Sequence, residues 1–285
     1  LGVGGQASAQ LMQLADLTPG VDGSNPGNFT SLGRFVFFSA EVDGRDDLVR
    51  TNGTVAGTEV LDVSAFGGLS PTLLTPGPGV LYFAARAADG AQVWQTDGSR
   101  EGTTPLTPGM GLNLRDITVV GDRVFFCADP DGDGELYVHD AAGTRLVRDL
   151  RPDGSSEPRS LAAFGDLLLF SANDGTSGRE LWITDGTEAG TRMIEDLEPG
   201  SGDGLLSSAT IVGLDGIAVF DRRIGASNFV HSTDGVDVTD ISGGTLVVER
   251  FSDQAVLGGR VIFRAAEGTG FSADTEVWAS DGTVD

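Results

Sequence analysis

The chain has one cysteine, Cys127, which rules out an internal disulfide and a cysteine-rich zinc site. It has only two histidines, His139 and His231, and neither has a second histidine at metal-ligand spacing. Basic residues are scarce, 18 against 42 acidic ones, for a net charge of -24. A surface so acidic repels polyanions, so nucleic acid is not an expected partner. No run approaches the ~20 apolar residues of a membrane-spanning helix, so no direct membrane insertion is expected. Glycine, by contrast, abounds: 43 of 285 residues, with 11 prolines. In helix interiors these cost roughly 1 and 3 kcal/mol relative to alanine, whereas short strands and frequent turns accommodate them. The composition therefore leans towards an all-β fold.

Internal repeats are plain. A turn signal recurs at Asn52-Gly53-Thr54, Asp97-Gly98-Ser99, Asp185-Gly186-Thr187 and Asp281-Gly282-Thr283, with weaker forms at Asp140 and Asp234-Gly235. Successive signals lie 43 to 49 residues apart, the length of a propeller blade. Each unit carries an apolar run: Phe35 to Ala40, Leu81 to Ala85, Val124 to Ala128, Leu167 to Ala172, Ile217 to Phe220 and Val261 to Ala265. Runs rich in Val, Phe and Ile between glycines read as strands buried on both faces. In the fourth unit the remaining strands fall near Ser160 to Phe164, Glu180 to Thr184 and Thr191 to Leu197.

The phase of the ends is informative. Ile194-Glu195-Asp196-Leu197 before Pro199-Gly200 and Val147-Arg148-Asp149-Leu150 before Pro152 end two units, and Leu14-Ala15-Asp16-Leu17 before Pro19-Gly20 opens the chain in the same phase. The last unit stops after the Asp281 turn, without that strand. The expected fold is a six-bladed β-propeller of four-stranded antiparallel blades over residues 10–285, with Leu11 to Leu17 completing the last blade beside Glu276 to Ser280. Residues 1–9 are expected to be a disordered lead or a signal-peptide remnant, on the strength of small residues at Ala7 and Ala9.

Aligned on the turn, one column holds Val49, Trp94, Tyr137, Trp182, His231 and Trp278, and reads as packing between blades rather than ligand stacking. His139 stands where other units have Thr51, Thr96, Thr184, Thr233 and Ser280. A polar column of Asp47, Gln92, Glu135, Glu180 and Glu276 is interrupted by Phe229; a hydrogen bond to a neighbouring turn is its commoner use, cation binding the sharper one. Glu180-Leu181-Trp182-Ile183-Thr184-Asp185-Gly186-Thr187 with Gly190-Thr191 resembles the bacterial ELWxxDGT repeat family, and the units at Trp94 and Trp278 match in part. The resemblance implies an exported or surface protein; it implies no reaction and transfers no catalytic residue.

The sharpest candidate for chemistry is Asp129-Pro130-Asp131-Gly132-Asp133-Gly134-Glu135. Asp129, Asp131 and Asp133 offer calcium several hard oxygens from one loop, and glycine permits the curve. Tyr137 at the ninth position and Asp140 at the twelfth depart from the calcium-loop pattern, so a calcium site and an acidic hairpin without an ion stand side by side. Arg222 and Arg223 form a basic spot in an acidic chain, a docking point for an acidic partner or a solvated hairpin. No Gly-x-Ser-x-Gly elbow or P-loop lysine is present. Tyr82 and Tyr137 both sit in packing runs, which disfavours sialidase-type chemistry. The expectation is an exported, non-enzymatic module that binds another envelope or extracellular protein, or a surface polysaccharide. The alternative is a calcium-dependent enzyme acting on acidic polysaccharide.

Overall fold

The computed structural model describes residues 11–20, 23–61, 70–87, 90–110, 113–130, 132, 134–225, 227–244, 246–247, 254–267 and 275–283. Their regular secondary structure is almost wholly β, with one short 3-10 turn at Val55–Gly57. The first sheet comprises β1 (Gly27–Leu32), β2 (Phe35–Val42), β3 (Arg45–Thr51) and β4 (Glu59–Val60). The second comprises β5 (Thr72–Pro76), β6 (Leu81–Ala87), β7 (Gly90–Thr96) and β8 (Thr104–Pro105). The third comprises β9 (Asp116–Val120), β10 (Arg123–Ala128), β11 (Glu135–Asp140) and β12 (Gly143–Leu146), and the fourth β13 (Arg159–Phe164), β14 (Leu167–Asn173), β15 (Arg179–Thr184) and β16 (Arg192–Glu195). The fifth repeat, β17 (Ile211–Gly213), β18 (Ala218–Ile224), β19 (Ser227–Thr233) and β20 (Val238–Asp240), is joined through β21 (Leu246–Val247) to the last: β22 (Ala255–Leu257), β23 (Arg260–Glu267) and β24 (Thr275–Ser280). Each ladder is antiparallel, each repeat in chain order.

By compactness the chain falls into two units, 1–88 with 94–105 and 89–93 with 106–285. In the first, Phe37, Leu48 and Leu61 of the first repeat share a core with Leu81, Phe83, Ala85 and Trp94 of the second. In the second unit, Val120, Phe125, Leu136 and Val138 meet Leu168, Phe170, Ala172 and Trp182. The other face of the fourth sheet, Phe164, Leu169, Leu181 and Ile183, meets Ala218 and Phe220. The central strands are buried on both faces, as their unbroken apolar runs require. Each fully buried Phe or Leu contributes roughly 1.5–3 kcal/mol.

The Asp-Gly-Thr turns are closed circuits. In the fourth sheet the Asp185 carboxylate accepts the Thr187 N–H at 2.8 Å and hydroxyl at 2.7 Å, and the Thr187 hydroxyl oxygen accepts the Gly190 N–H at 3.0 Å. The Thr184 and Thr191 hydroxyls bond to each other at 2.7 Å, and Thr184 also accepts the Gly186 N–H at 2.9 Å. The same bonds recur around Asn52 and Asp97. In the third sheet His139 Nδ1 meets Thr144 at 2.8 Å, so the histidine does replace a threonine within the repeat.

Gly186 has φ +88°, and a Cβ there would come 3.3 Å from the Phe125 ring of the preceding sheet. Gly235 lies against Phe164 and Ile183 in the same way, and Gly282 against Ile217. The turn is therefore also the seat of one sheet on the last. Arginines reinforce it: Arg145 donates to the Gly186 carbonyl at 3.4 Å and Arg192, from the equivalent position one repeat later, to that of Gly235 at 2.6 Å.

The strand bounds agree with the apolar runs read above, but the pairing expected at the chain's start is not among the ladders. Residues 11–16 carry no strand, Leu11 and Met12 are exposed, and β24 pairs with β23 alone among the described residues. Further along the segment, Leu17 is half-buried and sits against Phe38, Ala40 and Val49. The expected lead at residues 1–9 lies outside the described residues.

A Cβ on Gly190 would lie 2.1 Å from Asp185 Oδ1. Gly190→Ala is therefore expected to displace that carboxylate and lower stability by roughly 1–3 kcal/mol. Asp185→Ala should cost a similar amount, and the double variant clearly less than the sum, because one circuit is broken in both. Urea unfolding of the three variants checks this.

Candidate functional site

The antiparallel ladders place two kinds of connection at opposite ends of each sheet. At one end lie the Asp-Gly-Thr turns and short first-to-second strand links such as 33–34, 121–122 and 165–166. At the other end the second-to-third strand links vary, spanning 43–44, 129–134 and 174–178, and the exit legs 147–158 and 196–210 run beside them. The longest connections thus collect at one end of the repeats, and loops carry function on a rigid frame.

The polar column at that end holds the exit legs. Glu180 is fully buried and accepts the N–H groups of Leu197 and Gly204, each at 2.9 Å. Glu135 accepts the Ser156 N–H at 2.9 Å, its hydroxyl at 2.5 Å, and the Leu150 N–H. The hydrogen-bonding use of this column is the one observed at both positions. Burial raises both carboxyls, that of Glu180 to about 7, with the two N–H donors opposing the shift. Beside them Arg179, also buried, donates to the Glu157 carbonyl at 2.8 Å, and its own N–H meets Asp203 at 2.8 Å.

Of the proposed calcium ligands, Asp131 and Asp133 lie outside the described residues. Asp129 has one carboxylate oxygen, Oδ1, buried without a hydrogen-bond partner. It borders a cavity of about 10 Å³ lined also by Arg115, Cys127 and Glu157, a space the size of one water. Among the described residues no three His, Cys, Asp or Glu side chains gather as a metal would need. Cys127 is buried, and desolvation pushes its thiol well up, which leaves it unreactive.

The two arginines of the basic spot part company. Arg222 is half-buried and donates to the carbonyl of Leu197, the residue whose N–H Glu180 holds, while its Nε is buried without a partner. Arg223 is exposed and bonds the Gly225 carbonyl at 2.9 Å. Arg222 occupies the position of Ala40, Ala85, Ala128, Ala172 and Ala265, a departure that marks the residue as special without saying that it works inside the fold. In the same sheet His231 replaces tryptophan, is buried, and is held towards its neutral form by desolvation.

At the turn end, an open groove of about 350 Å³ runs past Ser232, Thr233, Asp234, Asp237 and Thr283. Its best-placed acceptors are already engaged: Asp234 takes the Val236 and Asp237 N–H groups at 2.9 Å each, and Thr233 that of Gly235 at 3.0 Å.

No family model matches the chain, and no curated protein does. Solved structures do. A prolyl endopeptidase structure, from a study of two such enzymes and their inter-domain dynamics, aligns over 96% of this chain and 45% of its own, with TM-score 0.57 and 14% identity. A puromycin-hydrolysing peptidase of Mycobacterium tuberculosis aligns over 90% of this chain and 44% of its own, with TM-score 0.55 and 16% identity. The chain spans less than half the length of either. At such identity the likeness concerns the fold, which is β-propeller-like. Among the described residues no helix is long and apolar enough to cross a membrane.

Because Glu180 binds its proton more tightly folded than unfolded, its contribution is greatest below the ordinary glutamate value of 4.5 and is lost as pH rises to about 7. Glu180→Gln is expected to lower stability by roughly 1–3 kcal/mol, since an amide offers one acceptor oxygen where two N–H groups point. It should also remove the decline between those pH values. Urea titrations of parent and variant at a series of pH values check this, the difference cancelling the repulsion among the other acidic groups.

Proposed function

We propose that the chain is a ring of six blades, closed by its own N-terminal segment, that serves as an exported, non-enzymatic binding module. It would engage another envelope or extracellular protein, or a surface polysaccharide, on the blade end that carries the long exit legs. That placement of the long connections at one end is the observation that carries the reading: at the opposite end the Asp97 and Asp185 turns have polar atoms that bond to one another. The acidic balance favours a cationic partner surface or an acidic glycan bridged by calcium. The likeness to the ELWxxDGT repeats supports export.

Within this reading Asp129, Asp131 and Asp133 hold calcium, which the unpartnered buried oxygen of Asp129 suits. Extracellular modules bind the ion with Kd of about 10⁻⁴–10⁻³ M. Millimolar calcium should then raise the melting temperature by a few degrees where magnesium does not, and Asp131→Ala should abolish the rise; no response in the parent protein rejects the ion site. Function is tested by passing the protein over immobilised polygalacturonate with and without calcium, while assaying new reducing ends. Calcium-dependent retention without turnover supports a binding module, and new reducing ends would replace it with the enzyme reading.

A further inference from the structure

Four junctions between consecutive repeats lie within one compact unit, and at three of them an arginine reaches the turn of the next repeat. Arg145 on β12 pairs with both carboxylate oxygens of Asp140, in its own repeat's turn, at 2.8 Å, and donates onward to the Gly186 carbonyl at 3.4 Å. Arg192, at the same position of β16, donates to the Gly235 carbonyl at 2.6 Å. Between the first two repeats the cation comes from the neighbouring strand. Arg50 of β3, ion-paired to Glu59 at 2.6 Å, has its Nη1 3.4 Å from where a Cβ on Gly98 would stand.

Between the fifth repeat and the last, neither position holds an arginine. Thr239 stands opposite Ser232, as Arg145 stands opposite Val138, Arg192 opposite Ile183 and Glu59 opposite Arg50. These two short hydroxyl side chains border the groove of about 350 Å³, which Gly282 and Thr283 of the next turn also line. Ser232 is only 4% exposed, and among the described residues its hydroxyl has no hydrogen-bond partner. The side chains of Asp237 and Thr239, which line the same groove, have none either. The backbone bonds that Asp234 accepts do not close the site to a cation: Asp140, at the same turn position, accepts the Ala142 N–H at 2.8 Å and still holds Arg145.

We propose that this groove receives an arginine side chain from another protein. Its guanidinium takes the place that Arg145 and Arg192 fill at the other junctions, donating to the Asp234 carboxylate and the Gly282 carbonyl, with Asp237 and the Ser232 hydroxyl as further acceptors. A guanidinium presents five N–H donors in a rigid plane and so serves several fixed acceptors at once, whereas an ammonium is a compact point charge. The net charge of -24 draws in a cationic segment. The groove lies at the turn end, opposite the long exit legs, so this site stands independently of the binding proposed above.

The test is an amide-shift titration of the isotope-labelled full chain with the blocked tripeptide acetyl-Gly-Arg-Gly-amide, and with its lysine counterpart as control. The arginine peptide is expected to shift the Ser232, Thr239 and Gly282 amides saturably in the millimolar range, and the lysine peptide to bind roughly tenfold more weakly. Asp237→Asn should weaken the arginine peptide by about tenfold. Thr239→Arg, which supplies the arginine that the repeat lacks here, should abolish binding and raise the melting temperature by a few degrees. No saturable shift at these amides would overturn the proposal. Equal binding of the two peptides would also overturn it, leaving only an acidic surface. Undiminished binding to either variant would place the peptide elsewhere and overturn it as well. Asp237 is exposed and its substitution removes no packing, so that arm decides the question even where Thr239→Arg does not fold.

Discussion

The structure depends on the approach of four turn glycines, Gly98, Gly186, Gly235 and Gly282, to the repeat before them. Gly98 touches Phe37, Gly186 touches Phe125 and Gly235 touches Phe164, each at 3.1 to 3.3 Å from where a Cβ would be. Only a residue without a side chain, and at ease with positive φ, can hold the backbone there. The aspartate, the threonines and the second glycine then fix the turn's shape by bonding to one another, so that the close contact recurs at a constant place. Apolar burial drives the sheets together; the turn determines where they stop.

Polar residues inside such a fold must be satisfied or they destabilise it. Glu135 and Glu180 accept backbone N–H groups of the departing legs, and Arg145 and Arg192 donate guanidinium N–H groups to turn carbonyls. These four charges are thereby committed to architecture, and the loops are left to carry other chemistry. A frame built this way positions loops without constraining what they contain, which is the physical basis for reading the molecule as a binding scaffold.

Much of this was legible in the residues themselves. Turn spacing and apolar runs placed the strands, because a strand buried on both faces must be continuously apolar and a tight turn must use glycine. The roles of His139 and of the tryptophan column followed from their alignment. Arg222 was misleading: two adjacent arginines in an acidic chain look like a surface spot, but alternation along β18 turns one inward to Leu197 and leaves the other in solvent. The Glu180 clamp was visible only as a column, since its partners Leu197 and Gly204 are brought to it by the exit leg. The second duty of the turn glycine, contact with the preceding sheet, has no signature beyond the glycine.

Amide hydrogen exchange at the turns tests this account most directly. The Gly98, Gly186 and Gly235 amides lie in surface turns yet are buried and bonded to the hydroxyls of Thr96, Thr184 and Thr233. They should exchange only on global unfolding, as slowly as the central strands. Exchange as fast as that of the 174–178 loop would show that the turns are ordinary hairpin tips and that the sheets are held in place by something else.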